Sequence, residues 1–323
     1  MTRARAVLAA SALLGSAVPV GSAQKPPVFE ASVETVHVDV FVSQDGEAVA
    51  GLTAANFELR DNGVRQSPAL ISAELRPLRS ILVFDTSSSV VGERLLALKS
   101  AGRAFLDGLR PADEAGLIGF SEEIGWLARV SADKEATREA LVWLRPEGAT
   151  AVYDGLFAAI ALAEDAARSV IVLFTDGEDN MSVLDARQVM TSTLRSNTLV
   201  HAVGWLEAAP PHRPAVTGAA RVPTATPWTA HERPHVVALR RIAEATGGRF
   251  WPADSPERLR RAFAEIAESM GHRYVLRYEP VGVKREGWHR IEIKLKGRKG
   301  DLQARKGYWV APPRGTTPTP FEP

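Results

Sequence analysis

Asp85-Thr86-Ser87-Ser88-Ser89 places one carboxylate and two hydroxyls on a single turn, directly behind the apolar run Ser80-Ile81-Leu82-Val83-Phe84. Oxygen donors at alternate positions of such a turn make half a site for a hard cation. A buried strand delivers Asp85 to its carboxyl end, and the turn beyond aims Ser87 and Ser89 at the point the carboxylate faces. Two further segments carry matching donors: Gly148-Ala149-Thr150, and the run Val170-Ile171-Val172-Leu173-Phe174-Thr175 that ends in Asp176-Gly177. In an open parallel sheet, ligands bind outside the carboxyl ends of the strands, where strand order reverses. The three segments are therefore expected to converge on one crevice. Neutral hydroxyls with at most two carboxylates suit Mg²⁺, which takes oxygen ligands in a near-octahedral shell and keeps several waters. Mn²⁺ and Ca²⁺ are the alternates, and Ca²⁺ ordinarily wants more ligands.

The elements that must position these donors are legible in the hydrophobic period. Val36, Val38, Val40 and Val42 alternate, and the turns Gln44-Asp45-Gly46 and Asp61-Asn62-Gly63 flank a second strand-like piece at Phe57–Arg60. From Ser80 the pattern changes to short β runs separated by helical ones, which predicts a mainly parallel, doubly wound α/β sheet of six strands with helices on both faces. Strands are expected at 81–84, 115–120, 124–129, 169–175, 198–204 and 249–251, with the second and third joined as an antiparallel hairpin at one edge. Helices are expected at 93–109, from Asp133 to Leu144, and at 152–167, 183–195, 235–246 and 255–270. The proline-rich stretch Glu207–Pro234 reads as a long loop leaving the carboxyl end of a strand, so it is expected to border the metal-bearing edge. Beyond Gly271 the period returns to two in Tyr274–Tyr278, Ile291–Leu295 and Leu302–Val310. These strands and the N-terminal ones are each marginal alone, so they are expected to pair into a small β-sandwich with the α/β domain inserted between them. The resulting division is a leader over 1–23, a β segment over 24–77, the α/β domain over 78–271, a β segment over 272–311 and a disordered tail over 312–323.

The first 23 residues hold Arg3 and Arg5, then the apolar run Ala6–Val20, then Gly21-Ser22-Ala23, the pattern of a secretory signal cleaved before Gln24. The run is shorter than the roughly 20 residues a membrane-spanning helix needs, and no later segment is apolar enough to cross. The mature chain is expected to be exported, periplasmic or extracellular, without a transmembrane segment. It has no cysteine, so its core must stand without disulfides. A formal charge of +1, lowered by loss of the two leader arginines, recruits neither nucleic acid nor an anionic membrane.

Taken in order, Asp85-x-Ser87-x-Ser89, Thr150 and Asp176 resemble the metal-ion-dependent adhesion site of von Willebrand factor type A domains. The resemblance covers about residues 78–271 in element order. It implies that Ser87 and Ser89 bind the ion directly, that Thr150 binds directly or through water, and that Asp85 and Asp176 act directly or through bridging waters. Gly51-Leu52-Thr53, Asn56-Phe57 and Arg305-Lys306-Gly307-Tyr308 further resemble an acidobacterial-type group of exported bacterial proteins that carry this domain. Trp309 is read equally well as a packing aromatic.

A cation held mainly by hydroxyls and water stays electrophilic, so the expected function is recognition without chemistry: a partner protein's Asp or Glu completes the coordination shell. The first competitor is a structural envelope protein without metal-gated binding. The second is a metal-dependent hydrolase, since aspartyl-phosphate hydrolases also begin with an aspartate after a buried strand. Those need a second acid two residues on, where Ser87 stands here. The serine-elbow and phosphate-loop signatures are absent from the sequence, and no enzymatic activity is expected. Glu178 and Asp179 are assigned helix-start roles, Asp154 a hydrogen-bonding one, and His201 a core position. His212, His231 and His235 are expected to face solvent.

Overall fold

The computed structural model describes residues 35–71, 77–163, 168–206, 233–284 and 286–311. The expected leader, the tail from Pro312 and residues 207–232 of the expected long loop lie outside them.

The N-terminal strands are β1 (Val36–Gln44), β2 (Glu47–Ala48), β3 (Phe57–Asp61), β4 (Val64–Gln66) and β5 (Ala69–Ile71). The α/β layer follows as β6 (Arg79–Asp85), α1 (Glu93–Asp107), β7 (Glu114–Phe120), β8 (Ile124–Ser131), α2 (Glu135–Trp143), α3 (Val152–Ala163), β9 (Ser169–Thr175), α4 (Ala186–Arg195), β10 (Leu199–Trp205), α5 (Pro234–Thr246), β11 (Phe250–Ala253) and α6 (Pro256–Gly271). Strands β12 (Tyr274–Tyr278), β13 (Gly287–Leu295), β14 (Asp301–Ala304) and β15 (Gly307–Val310) complete the described chain.

The central sheet has the order β11-β10-β9-β6-β7-β8, and only the β7–β8 pair is antiparallel. Alternation along the strands feeds two cores. Leu82, Phe84, Leu117, Val172 and Phe174 meet the apolar stripes of α1, α2 and α6, whereas Ile81, Val83, Ile118, Ile171 and Leu173 meet those of α3, α5 and Val189 of α4. Edge-to-face rings lock the first core: Phe263 of α6 lies 5.6 Å from Phe84 and 6.5 Å from Phe105. In the second, α3 packs so tightly that a Cβ on Gly155 would stand 2.7 Å from the Phe120 ring. From β6 the chain first moves outward to β7 and then returns to the other side of β6 as β9. The strand order thus reverses between β6 and β9, the pair whose carboxyl ends carry Asp85 and Asp176.

The flanking strands form two sheets, β14-β1-β12-β5 with β2 on β1, and β15-β13-β3-β4. Val36, Val38, Val40, Val42 and Leu276 of the first pack on Phe57, Leu59 and Ile291 of the second. Each sheet mixes N- and C-terminal strands, so neither end of the described chain folds without the other. Inside this sandwich Asp61 is buried beneath three donors: Tyr278 Oη at 2.9 Å, Tyr308 Oη at 2.7 Å and His289 Nδ1 at 2.9 Å. Burial, with the neighbouring Tyr308 hydroxyl and the Asp61 carboxylate, pushes the Tyr278 phenol far above its ordinary range.

One expectation is corrected here. Leu302–Val310 is two strands, β14 on β1 and β15 on β13, broken at Arg305-Lys306. The Arg305 guanidinium turns back onto Gly307 O at 2.6 Å and reaches Asn197 Oδ1 at 2.6 Å, while Lys306 N donates to Ala245 O. The chain therefore bends and changes sheet without losing its period. The two layers are further joined by Arg168, which bonds Asp39 Oδ1 and Met270 O, and by Arg273, which bonds Gly247 O at 3.0 Å. Burial lowers the pKa of both Arg273 and Arg305 to about 10.

His201 occupies the expected core position. Its Nδ1 accepts from Arg249 N and Trp251 Nε1, both at 3.2 Å, which only an unprotonated nitrogen can do. Burial, with Arg273 nearby, lowers its pKa from 6.5 to about 3. The unfolded chain therefore takes up a proton below 6.5 that the folded chain refuses down to about 3. Stability should fall as pH drops through that window, by on the order of a few kcal/mol. Urea unfolding across the same window should show a clearly shallower loss for His201→Gln than for wild type; parallel curves would refute the assignment.

Candidate metal centre

The carboxyl ends of β6 and β9 hold the site together through hydrogen bonds that leave the hydroxyl oxygens turned toward one another. Asp85 is fully buried; its Oδ1 accepts from Ser87 N at 2.9 Å and its Oδ2 from Thr175 Oγ1 at 2.7 Å. Thr86 turns away, bonding Phe120 O of β7 through both N and Oγ1. That anchoring sends the alternate residues Ser87 and Ser89 to the opposite side, where their Oγ atoms lie 3.0 Å apart. Ser89 Oγ in turn donates to Asp176 Oδ1 at 2.6 Å.

Thr150 is brought in by backbone ties. Ser88 N donates to Gly148 O at 3.0 Å, Glu147 N donates to Thr86 O at 2.7 Å, and Gly148 supplies the positive φ of 77° that the loop needs. On the other side Thr150 N donates to Asn180 Oδ1, and Thr150 O accepts from Asn180 N and Met181 N. Gly177 measures the result: a Cβ built there would find Thr150 Oγ1 at 3.6 Å and Ser89 Oγ at 3.7 Å, so two hydroxyls from remote segments border the same small space. All five sequence-predicted residues, Asp85, Ser87, Ser89, Thr150 and Asp176, thus lie at one crevice.

Asp154 and Asp179 take the expected hydrogen-bonding and helix-start roles, whereas α4 is capped by Asp185 and not by Glu178. Asp154 accepts from Val183 N and Leu184 N, and Asp179 accepts from Tyr153 N at the start of α3. His235 is a correction. It is half-buried beside Thr175, Asp176 and Gly177, and burial lowers its pKa against the opposing pull of Glu178 and Asp179. It falls short of solvent because Pro234 starts α5 against the end of β10. His212 and His231 lie outside the described residues. Leu206 and Arg233, the described residues on either side of the 207–232 stretch, line a small cavity together with Thr175, Asp176, Gly177 and His235.

Two contributors were missed in the sequence. Thr175 lies one residue beyond the Phe84–Phe174 pair in the parallel register, which is what sets it against Asp85. Arg94, in the first turn of α1, donates to Asp176 Oδ2 at 2.8 Å and to Ser89 O at 3.3 Å. Its guanidinium offsets one of the two carboxylate charges and fixes the Asp176 rotamer.

Among the described residues no group of three or more His, Cys, Asp or Glu could hold a metal ion. The donors at this crevice are three hydroxyls and two carboxylates, all hard oxygens, and that set fits Mg²⁺ better than a softer ion. Burial raises the Asp85 pKa, opposed by its bonds to Ser87 and Thr175 and reinforced by repulsion from Asp176.

Residues 80–178, which include all five residues, match the von Willebrand factor type A domain, and the α/β layer has that fold. Over 235 residues the chain is 27% identical to a UPF0353 protein of Mycolicibacterium vanbaalenii, covering 65% of this chain and 64% of that one. It thus spans somewhat less than two thirds of that relative's length. A stretch of 124 residues, 34% of this chain, is 30% identical to 14% of the inter-alpha-trypsin inhibitor heavy chain H1 of Bos taurus. A solved von Willebrand factor type A protein from Catenulispora acidiphila aligns over 85% of this chain and 74% of its own, at 16% identity and a TM-score of 0.47.

The buried carboxylate sets a test that needs no ligand. With its pKa raised in the folded state, Asp85 favours folding most when protonated, and that contribution is lost as pH rises through the raised value. In chelator, Asp85→Asn keeps the Ser87 bond and offers an amide to Thr175. It should melt at or above wild type near neutral pH, with a smaller decline as pH rises through the acid range. A variant that melts well below wild type would contradict this account.

Proposed function

We propose that the α/β layer is a metal-dependent protein-recognition module. Ser87, Ser89 and Thr150 supply neutral oxygens, Asp85 and Asp176 supply the negative charge, and the preferred ion is Mg²⁺. Bound there, the ion would offer an electrophilic position to a carboxylate from outside. The partner is accordingly a protein that presents an Asp or Glu side chain.

One observation carries this reading: hydroxyl and carboxylate oxygens from three remote segments meet at the reversal point of the sheet. Ser87 Oγ, Ser89 Oγ and Asp176 Oδ1 stand in one hydrogen-bonded row at 3.0 and 2.6 Å, and Thr150 Oγ1 borders with Ser89 Oγ the small space beside Gly177. The depth is graded, with Asp85, Ser87 and Thr150 buried and Ser89 exposed, so an incoming group approaches from one side only. The residues also favour binding over catalysis. Thr175 and Ser87 each bond one oxygen of the buried Asp85 carboxylate and Arg94 engages Asp176, so both acids are held in fixed positions by neighbours, and Ser87 stands where a second acid would be needed.

Among the described residues no helix is long and apolar enough to cross a membrane. The expected secretory leader makes an envelope extract the appropriate source of partners. Capture of a partner from that extract by the immobilised protein should require Mg²⁺, disappear in chelator, and be lost in Asp85→Ala. Equal capture with and without chelator would instead favour a structural envelope protein whose domain keeps the site without gating a ligand.

A further inference from the structure

The outer strand β8 and helix α2 enclose a groove of about 630 Å³ that the metal crevice does not use. We propose that this groove is a second docking surface, and that it takes an extended segment of a partner protein carrying an aliphatic side chain flanked by lysine or arginine.

The wall is apolar and open. Leu127 and Ile124 of β8 are 47% and 38% exposed, and Trp143 at the end of α2 is 70% exposed. Together they form a cluster of large exposed apolar side chains around one concavity, the pattern of an interaction site more than of an ordinary surface. Strand β8 pairs only with β7, and its other edge is unpaired among the described residues. Such an edge is a template for an added strand unless something blocks it. Here the only charged side chain on β8 is Arg129.

The rim supplies the specificity. Glu123, Glu139 and Glu147 line the groove against a single cation, Arg145. None of the three carboxylates is ion-paired among the described residues. An excess of negative charge around an apolar slot selects a cationic flank on whatever enters it. The groove also adjoins the metal crevice, since Thr86 lines it and is bonded through its carbonyl to Glu147 N at 2.7 Å. One partner can therefore cover both surfaces, although the groove needs no metal to bind its segment.

The test uses the full chain and fluorescein-labelled, amidated peptides with a common Val-Leu-Val centre, flanked by lysines, by serines or by glutamates. Anisotropy should give the lysine-flanked peptide an affinity at least roughly tenfold above the serine-flanked one, with the glutamate-flanked peptide weakest. Binding should be the same in Mg²⁺ and in chelator, because none of the groove's contacts involves the metal donors. Leu127→Ser and Trp143→Ser, both at exposed positions, should each weaken the lysine-flanked peptide. The double change Glu139→Gln with Glu147→Gln should reduce the preference for lysine over serine while leaving the serine-flanked peptide unaffected. Three peptides of equal affinity, no binding of the lysine-flanked one, unchanged binding by Leu127→Ser, or binding that chelator abolishes would overturn the proposal. So would sedimentation showing a dimer that Leu127→Ser dissociates, since a second copy would then fill the groove. Loss of Mg²⁺-dependent capture in Asp85→Ala with peptide binding intact would bear only on the metal site.

Discussion

The carboxylate of Asp85, buried at the end of β6 and held by Ser87 N on one oxygen and Thr175 Oγ1 on the other, is the constraint around which the functional edge is arranged. A carboxylate taken out of water is costly unless its oxygens are satisfied. The parallel register of β6 with β9 supplies one partner, since it sets Thr175 beside Asp85. The tight turn after β6 supplies the other. Once that turn is fixed, Thr86 must face β7 and the two serine hydroxyls must face β9. The remaining contacts at the crevice follow from this geometry: the Ser89 bond to Asp176, the Arg94 bond to the same carboxylate, and the backbone ties that carry Thr150 into place.

The sandwich stabilises this edge from a distance. Strand β1 lies between β12 and β14, so closing the sandwich requires the whole α/β layer to be folded between them. Arg168, Arg273 and Arg305 then tie the sandwich to the ends of β9, α4, α5 and α6 at the edge opposite the metal crevice. The carboxyl ends of β6 and β9 are left free of these attachments. A rigid base with loops at the other edge is the arrangement in which binding residues can vary without cost to the core.

How much of this could be read from residues alone depended on whether the signal was local. The α/β class was legible because hydrophobic period switches near Ser80 and back near Gly271, and the six strands of the central sheet fall within a few residues of the expected positions. Asp85, Ser87, Ser89, Thr150 and Asp176 could be selected because each follows a strand or precedes a helix. Thr175 and Arg94 could not be selected the same way. Thr175 matters only through cross-strand register, and Arg94 only because α1 starts at an angle that brings its first turn over Asp176. The bend at Arg305 was hidden for a related reason: a strand that changes sheets keeps its alternation, and the pattern does not record which neighbour it pairs with. The short strands β2, β4 and β5 were missed because two or three residues carry no period. His235 was misplaced because flanking prolines and polar residues resemble a solvated loop, whereas the residue begins α5 beside a closed crevice.

Metal-dependent recognition requires that Ser87, Ser89 and Thr150 converge with two aspartates to hold a divalent cation. The most direct measurement is anomalous diffraction from crystals of the protein grown with Mn²⁺, collected at the manganese absorption edge. A peak roughly 2.0–2.3 Å from the Oγ atoms of Ser87 and Ser89, bordered by Thr150 and Asp176, is the predicted result. A map without a peak there, with Ser89 and Arg94 still bonded to Asp176, would contradict the assignment.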